Sequence, residues 1–474
     1  MKVIRRRALF YQRRTSNLYR LFGLFGLILG GIWFTIRLDS GAIRNPFSPT
    51  PTSTRTVNSW ALEGETFFQA GNLNAAINAY QRGTQVAQDA LIWAELARIQ
   101  AYSSRLLSND VDRLARLTEA VASADQAVAL APDSSDVHAI RAFVLDWNAD
   151  PFLDALRTDD RTSADILFEA EQEALRASQL DGQNPLALAY LAEILIDQQR
   201  WTQAEQSIGP ALELGPQVMD VRRVYAYFLE STGNYRQAIE EYQKALEISP
   251  NLTFLYIAIG HNYRTLAFRS PPGAQQTDLY DQALQNYARA ATINEQLAIQ
   301  DPLPYLAIAK AYAQQGQFFA AALNAQKAVD LDPANADLYG QLGNIYKRGR
   351  NFEAAIVALK CAVEGCSPAE SCEARNGCAV GDEGTQVVGL PLSPNSSVYY
   401  LDYGSVLAAF GPRFPDYCTT AEDVLTQLMN AYGDDPVIAR NADDGLSICA
   451  SVAQSQLQTP TPYFTPTLLP TPRQ

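Results

Sequence analysis

Between Thr56 and Val363, apolar residues return every three or four positions in runs of about a dozen. The runs come in pairs, and the pairs recur about every 34 residues. The clearest copy is VRRVYAYFLESTGNYRQAIEEYQKALEISP, from Val221 to Pro250. The same spacing appears at Leu186 to Pro216, Leu303 to Pro333 and Leu338 to Val363. Apolar positions at i, i+3, i+4 and i+7 form one face of a helix. Each copy therefore predicts two amphipathic helices, the first closed by Gly or a polar turn, the second by Asp-Pro or Ser-Pro. Two such helices cannot bury their apolar faces alone, so each copy must stack on the next. The expectation is an all-α solenoid working through a concave surface.

The first 38 residues follow a different pattern. Lys2, Arg5, Arg6, Arg7, Arg13, Arg14 and Arg20 precede any acid, and the apolar run Leu21 to Ile36 ends at Arg37. With Leu18 and Tyr19 the run is long enough to span a bilayer, with Arg20 and Arg37 snorkelling to its two interfaces. Residues 18–38 read as a transmembrane anchor, and 1–17 as a basic cytoplasmic segment by the excess of positive charge before the span. No small-x-small cleavage site follows Ile36, so the anchor is expected to stay uncleaved. Pro/Thr-rich residues 39–56 read as an extended linker, and 454–474 as a matching disordered tail.

The repeats resemble the tetratricopeptide repeat, a helix–turn–helix unit. The fifth copy supplies Tyr225, Ala226, Leu229, Gly233, Ala238, Tyr242, Ala245 and Pro250. The first supplies Trp60, Gly64, Phe67, Gly71, Ala76 and Tyr80, and the eighth Tyr339, Leu342, Gly343, Tyr346, Ala355, Leu359 and Ala362. The resemblance implies a right-handed superhelical solenoid of about nine such units after one transmembrane helix. Repeats one to eight occupy residues 57–364, a Cys-rich insertion 365–397, and a degenerate ninth repeat with a capping helix 398–453. Three copies carry inserts expected to loop out of the intra-repeat turn: RLLSNDVDRLARL near Arg105, NADPFLDALRTDDRTS near Trp147 and RSPPGAQQTD near Arg269.

Charge narrows the partner. The chain carries −14, yet residues 1–37 hold eight of its 37 Lys and Arg and none of its 51 Asp and Glu, so the remainder stands at −22. A body that acidic argues against nucleic acid as partner. All six cysteines fall late: Cys361, Cys366, Cys372, Cys378, Cys418 and Cys449. An even set outside the cytoplasm reads as three disulfides, for which fifteen pairings exist. Cys418 with Cys449 is the favoured long pair, and Cys361–Cys366 and Cys372–Cys378 would be short local loops. The spacing lacks the C-x2-C pairs of a zinc site, and no His accompanies it.

The two histidines and the absence of a P-loop, G-x-S-x-G, G-x-G-x-x-G or H-E-x-x-H leave no catalytic, metal or cofactor constellation to propose. The non-packing positions of the first helices in repeats five to eight are Arg223, Tyr227, Glu230, His261, Arg264, Lys310, Asn344 and Lys347. They form a basic and aromatic lining that suits an extended, acidic or carboxylate-bearing protein segment. The Lys/Asn/Arg carboxylate clamp of the family's co-chaperone members is not found: the equivalent positions carry Ala189, Glu193 and Phe254 in one frame, and Ile257, His261 and Asp337 in another. The expected role is a single-pass membrane scaffold with its repeats outside the cytoplasm. The alternatives are a chaperone-like accessory of secretion or envelope assembly, and a cytoplasm-facing regulator of envelope biosynthesis.

Overall fold

The structure, a computed structural model, describes residues 17–39, 56–107, 109–378 and 381–457. The basic segment before residue 17, nearly all of the linker, and the tail from residue 458 lie outside the described residues. The chain divides into two units, Met1–Arg55 and Thr56–Gln474. In the first, α1 (Leu18–Asp39) contains a stretch, Leu18–Arg37, that is long and apolar enough to cross a membrane and buries none of its side chains. The Arg37 guanidinium lies 5.6 Å from the Trp33 ring.

The second unit is a succession of helix hairpins. They are α2 (Val57–Gln69) with α3 (Leu73–Val86), α4 (Ala90–Ser104) with α5 (Asp110–Leu130), and α6 (Ser135–Asn148) with α7 (Ser163–Leu180). Next come α8 (Pro185–Asp197) with α9 (Trp201–Leu214), α10 (Met219–Ser231) with α11 (Tyr235–Ile248), and α12 (Thr253–Arg269) with α13 (Ala274–Gln296). Then follow α14 (Leu303–Gln314) with α15 (Phe318–Leu331) and α16 (Ala336–Arg348) with α17 (Phe352–Val363). The short α18 (Pro368–Ala374) leads to a ninth hairpin, α19 (Ser397–Phe410) with α20 (Asp416–Tyr432), against which α21 (Pro436–Leu457) packs. Gly365–Cys366 and Val387–Val388 pair as a two-residue antiparallel ladder around α18.

One small-residue rule holds the stack together. Every second helix buries an alanine at the same register: Ala76, Ala120, Ala170, Ala204, Ala238, Ala283, Ala321, Ala355 and Ala421. With no side chain beyond Cβ there, the two helices of a hairpin approach closely. The side chain four residues on fills the remaining gap, as Tyr80, Ile208, Tyr242, Tyr287, Leu359 and Leu425 do. Two glycines seat these rings: a Cβ on Gly64 would stand 2.4 Å from Tyr80, and one on Gly260 would stand 2.4 Å from Tyr287. Between helices, Gly71, Gly233 and Gly316 adopt φ of +85°, +83° and +75°, which side chains disfavour. Gln199 and Arg350 hold the same turn at φ of 60° and 62°.

Two of the three inserts do not loop out as expected. From Asp110 onward the repeat-two insert is the start of α5, and from Ala274 onward the repeat-six insert is the start of α13. Both carry helix-compatible residues after a start signal: Asn109 accepts the amides of Val111 and Asp112, and Gly273 breaks the chain before Ala274. The repeat-three insert stays largely outside regular helix, apart from a 3-10 turn at Pro151–Leu156.

The inner face is not one open groove. Repeats one and two meet repeats five and six: Arg98 Nη1 lies 3.0 Å from Asp220 Oδ2, the Arg223 Nε donates to the Tyr102 hydroxyl at 3.1 Å, and Asn251 Nδ2 donates to the Gln69 carbonyl at 3.0 Å. The Tyr102 ring stacks on Phe254, centroids 4.9 Å apart. Farther along, Asn395 Nδ2 donates to Asp110 Oδ2 at 2.7 Å, so the chain before α19 reaches the start of α5.

Candidate functional site

The first helices of the hairpins present their polar positions to this closed inner face, and the eight predicted lining residues separate into two groups there. Arg223 is only 6 % exposed. Its two terminal nitrogens donate to Glu193 at 2.6 Å each, and its guanidinium lies among the rings of Tyr102, Phe143 and Trp147. Its charge is consumed inside the protein, so Arg223 does not line a groove open to a partner. Lys347 and Asn344 are likewise committed: both donate to the Asp402 carboxylate, at 2.5 and 2.7 Å, tying repeat eight to repeat nine. Tyr227 donates to Asp197 at 2.6 Å. Glu230 accepts from the Tyr242 hydroxyl at 3.1 Å and from Asn262 at 2.9 Å.

His261, Arg264 and Lys310 are different. Arg264 Nη2 lies 3.1 Å from His261 Nδ1, and neither Arg264 nor Lys310 forms an ion pair among the described residues. Burial, together with the positive charges of Arg264 and Lys310, holds the His261 imidazole below its usual range. Burial also lowers Lys310, and Arg264 adds to this, although Asp337 pulls the other way. Arg264 thus disfavours the charged forms of both His261 and Lys310, and this local excess of positive charge is one that an anionic group would relieve.

The same inner face carries carboxylates that the reading of the lining did not single out. Asp146 on α6 is 4 % exposed, and neither of its carboxylate oxygens has a hydrogen-bond partner among the described residues. Burial, then the negative charges of Asp197 and Glu193, raise it well above the usual carboxylate range. Asp197 on α8 reaches solvent at the rim, yet the surrounding protein and Glu193 push it up to about 6 despite the hydrogen bond from Tyr227. Glu193 itself accepts from Arg223 and from the Trp147 indole at 3.0 Å. A signal for Asp146 and Asp197 was present in the sequence: both sit in the last turn of a first helix, where the helix dipole disfavours an acid.

The six cysteines pair as Cys361–Cys366, Cys372–Cys378 and Cys418–Cys449, with Cα separations of 4.7, 4.9 and 5.2 Å. The third joins α20 to α21. Among the described residues no group of three or more His, Cys, Asp and Glu could hold a metal ion.

By sequence, the chain matches the tetratricopeptide-repeat family over residues 190–252 and 306–369. No curated protein matches it. Among solved structures, the human IFIT1 dimer with m7Gppp-AAAA superposes with a TM-score of 0.51 at 16% identity, over 86% of this chain and 92% of that one. The human IFIT1 dimer with PPP-AAAA gives 0.50 at 16% identity, over 85% and 91%. A thermophilic TPR protein of Thermus thermophilus, TTC0263, gives 0.35 at 18% identity, over 44% of this chain and 98% of that one. By sequence, residues 190–252 and 306–369 are tetratricopeptide repeats, a repeat suited to holding other proteins, and the superpositions show the same solenoid fold.

Proposed function

We propose that this tetratricopeptide-repeat chain is a single-pass membrane scaffold, with its repeats outside the cytoplasm, that holds an acidic or carboxylate-bearing segment of a partner protein. The observation that carries this reading is the cluster of His261, Arg264 and Lys310, which form no ion pair with a carboxylate among the described residues, whereas Arg223 and Lys347 are each bound by one. A partner carboxylate between Arg264 and Lys310 would make charge-assisted hydrogen bonds in a setting where water is partly excluded. The extracytoplasmic placement is supported by the basic residues before Leu21 and by three disulfides, which persist in oxidising compartments. IFIT1 is solved with capped and triphosphate RNA, but a body at −22 with unpaired carboxylates on its inner wall disfavours phosphate chains here.

Crosslinking from intact membranes, followed by capture of the chain, tests the reading. The double reversal R264E/K310E is expected to lose the captured partner while keeping the circular dichroism of the wild type, since neither residue packs between helices. Retention of the partner by that variant refutes the assignment to this cluster. One stoichiometric partner fits a scaffold, whereas a broad set of unfolded clients fits a chaperone-like accessory of secretion or envelope assembly. Protease added to cells with an opened envelope but intact membrane should digest the repeats. Full protection would instead place them in the cytoplasm and favour a regulator of envelope biosynthesis.

A further inference from the structure

At the turn edge of repeats seven and eight, a cleft of about 260 Å³ opens between α15 and α16. Phe318 lines it with the buried Ala322 and Ile345. Phe319 and Leu323, one helical turn apart on α15, stand at its rim 81 % and 46 % exposed. One corner is polar. The Tyr346 hydroxyl accepts from Gln326 Nε2 at 2.7 Å and from Asn376 Nδ2 at 3.0 Å, and all three residues line the cleft. That hydroxyl has one proton of its own to give, and no acceptor for it is found among the described residues. Rings beside a spare donor suit an extended proline-rich chain, whose apolar rings pack on aromatic walls and whose carbonyls have no internal partner.

The end of α21 indicates which chain that is. Cys449, late in α21, is bonded to Cys418 at the start of α20, so α21 runs back along α20. A Cβ on Gly411, in the turn of the ninth hairpin, would stand 2.4 Å from the Cys418 sulfur and 3.8 Å from that of Cys449. The chain therefore leaves α21 on the turn edge, α21 overshooting Cys449 by about 12 Å. A row of rings leads from there to the cleft. Tyr417 lies 5.5 Å from Phe414, Phe414 6.4 Å from Phe410, and Phe410 6.2 Å from Phe352 on the turn of the eighth hairpin. Asn351, next to Phe352, lines the cleft. Residues 458–474 reach about 50 Å when extended. The cleft lies between the next two hairpins, which are spaced about 10 Å apart.

We propose that the tail of this chain, residues 458–474, docks along this row of rings as a polyproline II helix and seats residues 463–469 in the cleft. Pro460, Tyr463, Pro466, Leu469 and Pro472 stand three apart. A polyproline II helix turns once every three residues, so these five share one apolar face. Phe464 and Leu468 fall off that face. The docked face covers Phe319 and Leu323, and a tail carbonyl accepts the Tyr346 proton. The cleft on α15 and α16 is apart from the basic cluster on α12 and α14, and the docking does not depend on what that cluster holds.

The test uses full-length protein with the photocrosslinker p-benzoylphenylalanine at position 319, an exposed site where it leaves the repeats undisturbed. It is photolysed in intact membranes and, purified in detergent micelles, as an equal mixture of 15N-labelled and unlabelled chains. Mass spectrometry should find the crosslink within residues 463–469 of the same chain. Y463S/L469S and L323D should each lower its yield at least fivefold, Y346F at least twofold, and F464S/L468S should leave it unchanged. Without a crosslinker, chymotrypsin should cut after Tyr463 and Phe464 at least fivefold faster in L323D than in wild type. No crosslink to residues 458–474, or a yield that falls equally in F464S/L468S and Y463S/L469S, overturns the docking. Products that join labelled to unlabelled chains would give the cleft to a second copy, and a crosslink in membranes to another protein would give it to that protein. Either result overturns the proposal, as does equal cutting of wild type and L323D.

Discussion

Asn395 and Asp110 are 285 residues apart in sequence, yet the Asn395 side-chain amide donates to the Asp110 carboxylate at 2.7 Å. The residue just before the ninth hairpin thus touches the first turn of the fifth helix. A repeat array held only by nearest neighbours would have no such bond. Because it is exposed, its strength is modest, on the order of 0.5–1 kcal/mol. N395A should leave global unfolding almost unchanged and speed amide exchange at the start of α5 and of α19 together. Exchange that changes at one end only would show that the two ends do not bear on each other.

The Arg223–Glu193 pair carries the opposite kind of energy. Both groups are nearly fully buried, and removing one partner strands the other's charge. R223M should destabilise the repeats by about 3–5 kcal/mol, whereas R223M/E193Q, which leaves no lone charge, should recover most of that loss. Urea unfolding of the four proteins of this cycle checks it. A double variant as weak as the single would place the energy in packing around Tyr102 and Trp147 instead.

Asp301, buried before α14, is pushed up to about 6 by burial, against the hydrogen bonds it accepts from Leu303 and Asn294. The folded protein holds this proton more tightly than the unfolded chain does. Stability should therefore rise as pH falls from about 7 to about 4, by at most about 3 kcal/mol from this residue. D301N should be more stable than wild type at pH 7.5 and should flatten that part of the profile. Asn294 Oδ1 has no partner, so a turned Asn294 amide can accept from the new Asn. Thermal melts from pH 4 to 8 read both. A D301N melt with the wild-type slope would assign the proton elsewhere.

The disulfides stabilise one end of the molecule. Cys361–Cys366 and Cys372–Cys378 close loops of five and six residues, while Cys418–Cys449 spans 31 and pins α21 to α20. Loops of this kind contribute about 2–4 kcal/mol each where unstrained. Reduction should raise amide exchange from residue 361 onward and leave α6 to α11 as protected as before, because repeats transmit stability mainly to their neighbours. Mass spectrometry after alkylation without reductant should find none of the six thiols modified. Six alkylated cysteines would contradict both the pairing and the oxidising compartment.

The sequence alone determined what is local. The alanine register of the second helices, the closing glycines and the paired apolar runs depend on contacts three or four residues apart or on the adjacent hairpin, and all are written in the repeat. The tetratricopeptide fold was legible for that reason. The inserts were less so, because helix start signals at Asn109 and Gly273 turned part of each into an extended helix rather than a loop. What the inner face does was decided only in three dimensions. Each hairpin adds a small rotation, and only their sum determines that Arg98 meets Asp220, that Tyr102 meets Phe254, or that Arg223 is enclosed by Glu193 instead of facing a groove. From the sequence, Arg223 and Lys310 look alike, as basic residues at non-packing positions of first helices. The tertiary structure separates them because charge is satisfied by whatever lies within a few ångströms, and that neighbour arrives from a distant repeat.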